Sequence, residues 1–300
     1  MLRPADVVGC GCEDLSPMPD IPLVISIAPL GAIADVWFLD IWGVLHNGFK
    51  PYASAVEACM TFRKAGGHVV LVSNSPRPRA GVIRQLDDIG VDRQAYDDVI
   101  TSGDVSRALI AELAPGPVFH IGPGRDLPLF DGLGIGLTGE GMGIAAVCTG
   151  LYDDESETPN DYASTLQALR VNETPMICAN PDITAERGGK IIYCAGAIAQ
   201  AYEALGGRVR YAGKPYAPIY EAALQIASRL CGASVTKDRV LAIGDGIATD
   251  IRGASASGIR SVYIASGVHV ARGVPQLEAV RTLFATEPLP PIAAMIALAW

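Results

Sequence analysis

The stretch Trp37-Phe-Leu-Asp-Ile-Trp-Gly-Val-Leu-His-Asn-Gly48 decides how the rest of the chain is read. Large apolar residues open it, as a buried strand requires, and a carboxylate, Asp40, stands where that strand ends. Gly43 and Gly48 supply the backbone freedom to turn immediately afterwards. In an open parallel sheet, ligands bind at the carboxyl ends of strands, so an acid there is well placed for chemistry. An aspartate after a strand is more often a turn former or a helix cap, and this segment alone does not decide between the two.

Outward from it, the chain alternates strands and helices. Residues 52–66 have helical spacing and stop at Gly66-Gly67. His68-Val-Val-Leu-Val-Ser-Asn-Ser75 follows as a second buried strand with small polar residues at its carboxyl end. A helix over 79–89 and a short strand Asp98-Val-Ile-Thr101 continue the alternation, which implies right-handed crossovers and a parallel sheet. From about 103 the pattern restarts, with strands at Pro117-Val-Phe-His-Ile-Gly122, Gly143-Ile-Ala-Ala-Val-Cys148 and Pro175-Met-Ile-Cys-Ala179. Helices near 160–170 and 195–205 accompany them, and Gly206-Gly207 marks a hinge-like break. The first pattern then resumes with helix 217–231, strand Arg239-Val-Leu-Ala-Ile-Gly244, helix 248–257 and strand Arg260-Ser-Val-Tyr-Ile-Ala265. The expected fold is α/β: a doubly wound parallel-sheet core in two pieces, 21–102 and 207–300, with an inserted α/β domain at 103–206. Residues 1–20 mix Pro, Gly, Asp and Met without periodicity and read as a poorly ordered lead-in.

Composition excludes several classes. The chain has 300 residues, half of them apolar and 18% charged, enough for two cores. A net charge of −9 argues against a nucleic-acid binder, which normally carries a basic face. An acidic protein can still bind a phosphorylated metabolite if a few cations and a metal are focused at one site. The seven cysteines are odd in number and lie mostly in apolar segments, as buried free thiols of a cytoplasmic protein do. Cys10-Gly-Cys12 lacks partners at zinc-ligand spacing. No run approaches 18 uninterrupted apolar residues and the first residues lack a basic region followed by an apolar one, so neither a membrane span nor a secretory signal is expected. The sequence does not fix the oligomeric state; a homodimer is one option.

Three further segments carry polar groups suited to chemistry. Asp245 directly follows an apolar strand in Leu-Ala-Ile-Gly-Asp-Gly-Ile-Ala-Thr-Asp250, and Asp250 falls on the first turn of the next helix. With Asp40 these carboxylates make an oxygen-rich site suited to Mg²⁺. Read singly, Asp245 caps the helix, Lys214 is a surface lysine, and Ser73-Asn-Ser75 is a strand-end turn. Jointly, an Asp, a Ser-Asn, a Gly-Lys-Pro and a Gly-Asp-x-x-x-x-Asp occur in that order, three of them at predicted strand ends.

This pattern resembles the haloacid dehalogenase superfamily of aspartate-nucleophile phosphotransferases. Its four motifs map onto Asp40, Ser73, Lys214, and Asp245 with Asp250. The block between the second and third motifs resembles the cap of the class IIA branch, which includes nitrophenyl- and sugar-phosphate phosphatases. Ile100-Thr-Ser-Gly103, Asn180-Pro-Asp182 and Ala212-Gly-Lys-Pro215 are further similarities, and the resemblance covers roughly residues 35–268. It implies an Mg²⁺-dependent phosphatase of a small phosphorylated metabolite. Asp40 would attack phosphorus, and Asp40, the Trp42 backbone carbonyl and Asp245 would hold the metal. Ser73, Asn74, Ser75 and Lys214 would bind the phosphoryl group, and Asp250 would orient Lys214 or a metal-bound water. Asn180, Asp182 and Arg187 of the cap would face the leaving group.

One position departs from the family. A second Asp, two residues after the nucleophile, usually serves as general acid and base; here it is Trp42. Metal binding through the backbone survives that change, but proton transfer to the leaving group does not. His46 is a candidate substitute, although a histidine at this spacing is more often a structural hydrogen-bonder. Two competing readings follow: a catalytically weak phosphate-binding or regulatory protein, and a dinucleotide-binding protein using Ile121-Gly-Pro-Gly124. The second lacks the third glycine of the fingerprint and an evident helix opening.

Overall fold

The computed structural model describes residues 20–139, 142–187, 189–265, 283–284, 287–288 and 290–300. The lead-in up to residue 19, with Cys10 and Cys12, lies outside the described residues.

The chain enters through a short helical turn, α1 (Ala28–Gly31), and then builds β1 (Val36–Leu39), α2 (Ala53–Lys64), β2 (His68–Ser73), α3 (Arg79–Ile89), β3 (Asp98–Thr101) and α4 (Ser102–Ala111). A second set follows: β4 (Val118–Ile121), β5 (Leu137–Thr138), β6 (Ala145–Cys148), α5 (Ala163–Val171) and β7 (Met176–Cys178). It continues with β8 (Thr184–Arg187), β9 (Lys190–Tyr193), α6 (Ala195–Ala204) and β10 (Val209–Tyr211). The chain returns through α7 (Ala217–Cys231), β11 (Val240–Gly244), α8 (Arg252–Ala256), β12 (Arg260–Ile264) and β13 (Ala293–Met295).

Two parallel sheets result, ordered β13-β12-β11-β1-β2-β3 and β10-β7-β6-β4-β5, with β8 and β9 a separate antiparallel hairpin. The larger sheet is covered on both faces, and strand alternation explains how. Trp37 and Leu39 of β1 enter one apolar cluster with α2 and α3, through Ala58, Phe62, Val82 and Leu86. Val36 and Phe38 point the other way, into a cluster with Ile219, Ala223 and Ala227 of α7. Trp37 stacks on Phe62 with ring centroids 4.0 Å apart, which fixes α2 beneath the strand that carries Asp40. Every strand in this layer is therefore held from two sides, and the loops at its carboxyl end are presented on a rigid frame.

The domain limits differ from those expected. β10 hydrogen-bonds to β7, so the inserted domain runs through Tyr211, and a limit at 206 leaves its last strand outside. Its start is not a clean break either. α4 gives Val105 to the apolar cluster of the larger domain and Ile110 to that of the inserted one. Glycine pairs mark where a chain can turn, not where its hydrogen bonds end. β5, the β8–β9 hairpin, β10 and β13 went unpredicted, being two to four residues long or mixed in polarity.

The described cysteines Cys59, Cys148, Cys178, Cys194 and Cys231 are free, as expected. Cys148 and Cys178 are register partners on adjacent strands, and burial raises both thiols. Two imidazoles are also held neutral by burial, His46 and His120, each lowered to about 4. The unfolded chain takes up those protons near pH 6.5, so stability is present above that pH and is lost as pH falls toward 4. Each imidazole contributes on the order of 1–3 kcal/mol to that slope. Melting temperature measured against pH should fall across this window, and His120→Gln should flatten the fall.

Candidate active site

Four side chains from three separate segments meet at the carboxyl end of the larger sheet. Asp40 follows β1, with its N–H donated to the Ile243 carbonyl at 2.9 Å, so neighbouring strands set its position. Asp245 follows β11 directly. Asp250 lies in a π-helical turn, Ile247–Ile251, where a plain α-helix was expected. Such turns recur at functional sites because the extra residue re-aims a side chain. Gly244 makes room for it, since a Cβ there would lie 2.2 Å from Asp250 Cγ. Lys214 sits in the crossover from β10 to α7 and is 3% exposed, so it is not a surface lysine.

The ammonium of Lys214 donates to Asp40 Oδ1 at 2.5 Å and to Asp250 Oδ1 at 2.7 Å. Burial disfavours its charge, but Asp250 and Asp40 outweigh that and hold its pKa above the ordinary lysine value. Burial pushes Asp40 up to about 7, opposed by Lys214 and reinforced by Asp250. Tyr220 of α7 supports the group from below, its hydroxyl donating to the Asp250 carbonyl at 3.2 Å.

Carboxylate oxygens of Asp40, Asp245 and Asp250 lie within 4.8 Å of one another, all three residues being buried. Three carboxylates face one ammonium there, and buried like charges are costly without a further cation. Hard oxygen donors at this spacing fit a small divalent metal. The loop after Asp40 is shaped for the same purpose. Gly43 has φ +79° and approaches Asp245 so closely that a Cβ would sit 2.2 Å from Oδ2. Any side chain there would displace one of the proposed ligands.

The expected phosphate loop divides into two roles. Ser73 Oγ accepts the Ser75 N–H at 3.2 Å, which leaves its own hydroxyl hydrogen for a ligand. Ser75 Oγ accepts from the Arg77 N–H at 3.3 Å and orders the turn. Asn74, expected to bind phosphate, has its side chain fully engaged elsewhere. Its Oδ1 accepts the Lys214 N–H at 2.7 Å, and its Nδ2 donates to the Lys214 carbonyl at 3.0 Å and to Asp182 at 2.8 Å. With one acceptor and two donors in use, that amide positions the lysine and ties it to the inserted domain. Asp182, expected at the leaving group, is one end of this tie.

The structure engages His46 within its own loop. Its Nδ1 accepts the Gly48 N–H at 2.9 Å, so the neutral ring carries its proton on Nε2. That form has no basic nitrogen left to offer, and with a pKa near 4 the ring does not become an imidazolium acid at neutral pH. Trp42 is folded edge-to-face against His46, with ring centroids 5.4 Å apart. Its far ring also lies where a Cβ on Gly48 would come within 2.2 Å, at φ +88°. The indole is thus packed on its own loop, and glycine at 48 is what accommodates it.

A cavity of about 840 Å³ joins this centre to the inserted domain. Asn180, Asp182 and Arg187 are among the residues that line it. Asn180 Oδ1 accepts the Asp182 N–H at 3.1 Å and so shapes the loop after β7. Arg187, on β8, pairs with Asp154. Sequence reading missed Arg125 and Asp154, which also line the cavity; each sits in a polar loop with no motif to mark it. The Ile121-Gly-Pro-Gly124 segment opens a 3-10 turn, Gly124–Phe130, not the α-helix of a dinucleotide fingerprint.

Comparison with known proteins agrees with this geometry. Residues 37–136 match the haloacid dehalogenase-like hydrolase family, and residues 211–285 match a second HAD-hydrolase-like family description. A crystal structure of a hydrolase of the haloacid dehalogenase-like family from Brucella suis is 47% identical. That likeness covers 92% of this chain and 100% of that one, with a TM-score of 0.83. A 4-nitrophenylphosphatase of Schizosaccharomyces pombe is 26% identical over 261 residues, 78% of this chain and 84% of the relative. A possible sugar phosphatase from Cytophaga hutchinsonii shares the fold at 21% identity, with a TM-score of 0.75 over 92% of this chain and 98% of that one. With a cap inserted between its second and third motifs in the class IIA manner, the chain belongs to the haloacid dehalogenase-like hydrolase family and is an enzyme of its phosphatase type.

Proposed function

We propose that the chain hydrolyses small phosphorylated metabolites with Mg²⁺ through an aspartyl-phosphate on Asp40. The observation that carries this reading is Lys214 held between Asp40 and Asp250, with Asp245 alongside. A carboxylate oxygen of Asp40 attacks phosphorus as the bond to the leaving-group oxygen breaks; water then attacks phosphorus, releasing phosphate and regenerating the carboxylate. Lys214 neutralises charge on the phosphoryl oxygens, and the Ser73 hydroxyl donates to one of them. Asp250 and Tyr220 keep the ammonium aimed at the reacting group. Asp40, Asp245 and the Trp42 backbone carbonyl would hold Mg²⁺, which when bound would supply positive charge to offset repulsion between carboxylate and phosphate dianion. The cavity volume suits a metabolite, not a macromolecule.

Among the described residues no helix is long and apolar enough to cross a membrane, and the free cysteines suit a reducing compartment, which we take to be the cytoplasm. Trp42 favours the second reading, a slow enzyme that chiefly binds its ligand. The test is release of 4-nitrophenol from 4-nitrophenyl phosphate with Mg²⁺, then with excess EDTA. Activity should drop at least about 100-fold in EDTA and return with Mg²⁺. Full activity in EDTA would exclude the metal, and a protein inert to aryl and acyl phosphates alike would favour the binding reading. Gly43→Ala should raise the Mg²⁺ concentration for half-maximal rate about 10–100-fold, the range for disturbing the support of a metal ligand. An unchanged Mg²⁺ titration would contradict the placement of Asp245.

A further inference from the structure

The sheet of the inserted domain is itself parallel, and its strand ends also supply the cavity wall. Arg125 follows β4, Asp154 follows β6, and the hairpin bearing Arg187 follows β7. A second set of parallel strand ends thus faces the ligand, where such sheets bind ligands.

At this wall two guanidinium groups converge on one carboxylate. Asp154 accepts from Arg125 Nη2 at 2.6 Å, and from Arg187 Nη2 at 2.6 Å and Nη1 at 3.1 Å. Asp154 has a side chain only 10% exposed, whereas Arg125 and Arg187 are 49% and 43% exposed. Burial raises Asp154, but the two arginines outweigh it and keep the carboxylate ionised. One arginine would suffice to brace the hairpin. The second arginine's further carboxylate partner, Glu155, is 68% exposed and 3.6 Å from Arg187 Nη2, beyond hydrogen-bond distance, and Arg125 uses only Nη2 in hydrogen bonds among the described residues. Arg77, from the loop after β2, lines the same cavity and acts electrostatically on Asp126 beside them. In a chain of net charge −9, three arginines lining one phosphate-ester cavity, two of them on the wall of the inserted domain, need a reason.

We infer that Arg125 and Arg187, pre-oriented by Asp154, form a second anion site that reads a carboxylate or phosphate at the far end of the substrate. The inference rests on the phosphatase reading and narrows its substrate class to phosphate esters carrying a further anionic group. Planar guanidinium forks suit both oxyanions and have no comparable use for a neutral sugar. Arg77 reaches the same cavity from the core side.

Two matched pairs of substrates distinguish the two anions: 3-phosphoglycerate against glycerol 3-phosphate, and glucose 1,6-bisphosphate against glucose 6-phosphate. In at least one pair the anionic member should have a kcat/KM about tenfold or more higher, carried by KM. Arg125→Gln and Arg187→Gln should collapse that ratio, and Arg125→Lys should restore part of it. Equal rates within both pairs, or variants that lower both members equally, would overturn the site and reduce the arginines to braces. If no ester is hydrolysed, 4-nitrophenyl phosphate included, the phosphatase reading has failed on its own account. The anion site is then tested by titrating 3-phosphoglycerate and glucose 1,6-bisphosphate into the Asp40→Asn protein. Arg125→Gln in that background should weaken binding about tenfold, and no change would overturn the site.

Discussion

Asp40→Asn should lose at least about 10⁴-fold in turnover on every phosphate ester while keeping its fold. The amide is isosteric and its backbone is fixed by the Ile243 carbonyl, so the sheet has no reason to change. It lacks the negative charge that attacks phosphorus and pairs with the Lys214 ammonium. Unchanged circular dichroism with activity gone is the expected combination. A variant retaining a tenth or more of wild-type activity would remove Asp40 from the reaction.

The second large effect concerns the leaving group. With Trp42 in the place of the usual acid, and His46 committed to the Gly48 N–H, nothing among the described loop residues 41–48 protonates the departing oxygen. A general acid contributes about 10²–10⁴-fold, most of it where the leaving group is a poor one. Acyl and aryl phosphates should therefore react readily and alkyl phosphates slower by about that factor. Trp42→Asp should speed the alkyl esters and shorten the life of the aspartyl-phosphate. The indole packs on His46 and Gly48, so this variant also empties a half-buried site and should lower the melting temperature. Rates must be measured where it remains folded. A flat leaving-group series in the wild type would mean that another residue supplies the proton.

The fold was legible because buried parallel strands read as apolar runs, and three of those in the larger sheet, β1, β2 and β11, end in Asp, Ser-Asn or Gly-Asp. The hairpin β8–β9 was harder to read: Gly188-Gly189 is a turn signal, but Thr184-Ala-Glu-Arg187 before it has no clean alternation to mark a strand. Of the site, the charged quartet was visible as motifs. The work of Asn74 was not, because its partners Asp182 and Lys214 lie 108 and 140 residues away. The π turn carrying Asp250 was read as ordinary helix because hydrophobic spacing over so short a segment cannot tell the two apart. Arg125 and Asp154 meet only because β4 and β6 are neighbours in the second sheet.

Acid quenching during steady-state turnover of 4-nitrophenyl phosphate, followed by peptide mass analysis, tests the central claim most directly. A chain that attacks through Asp40 and lacks the acid–base residue should carry phosphate on the Asp40 peptide at near-stoichiometric level, and less in Trp42→Asp. Steady turnover with no phosphate on that peptide, or with phosphate on another residue, would contradict it.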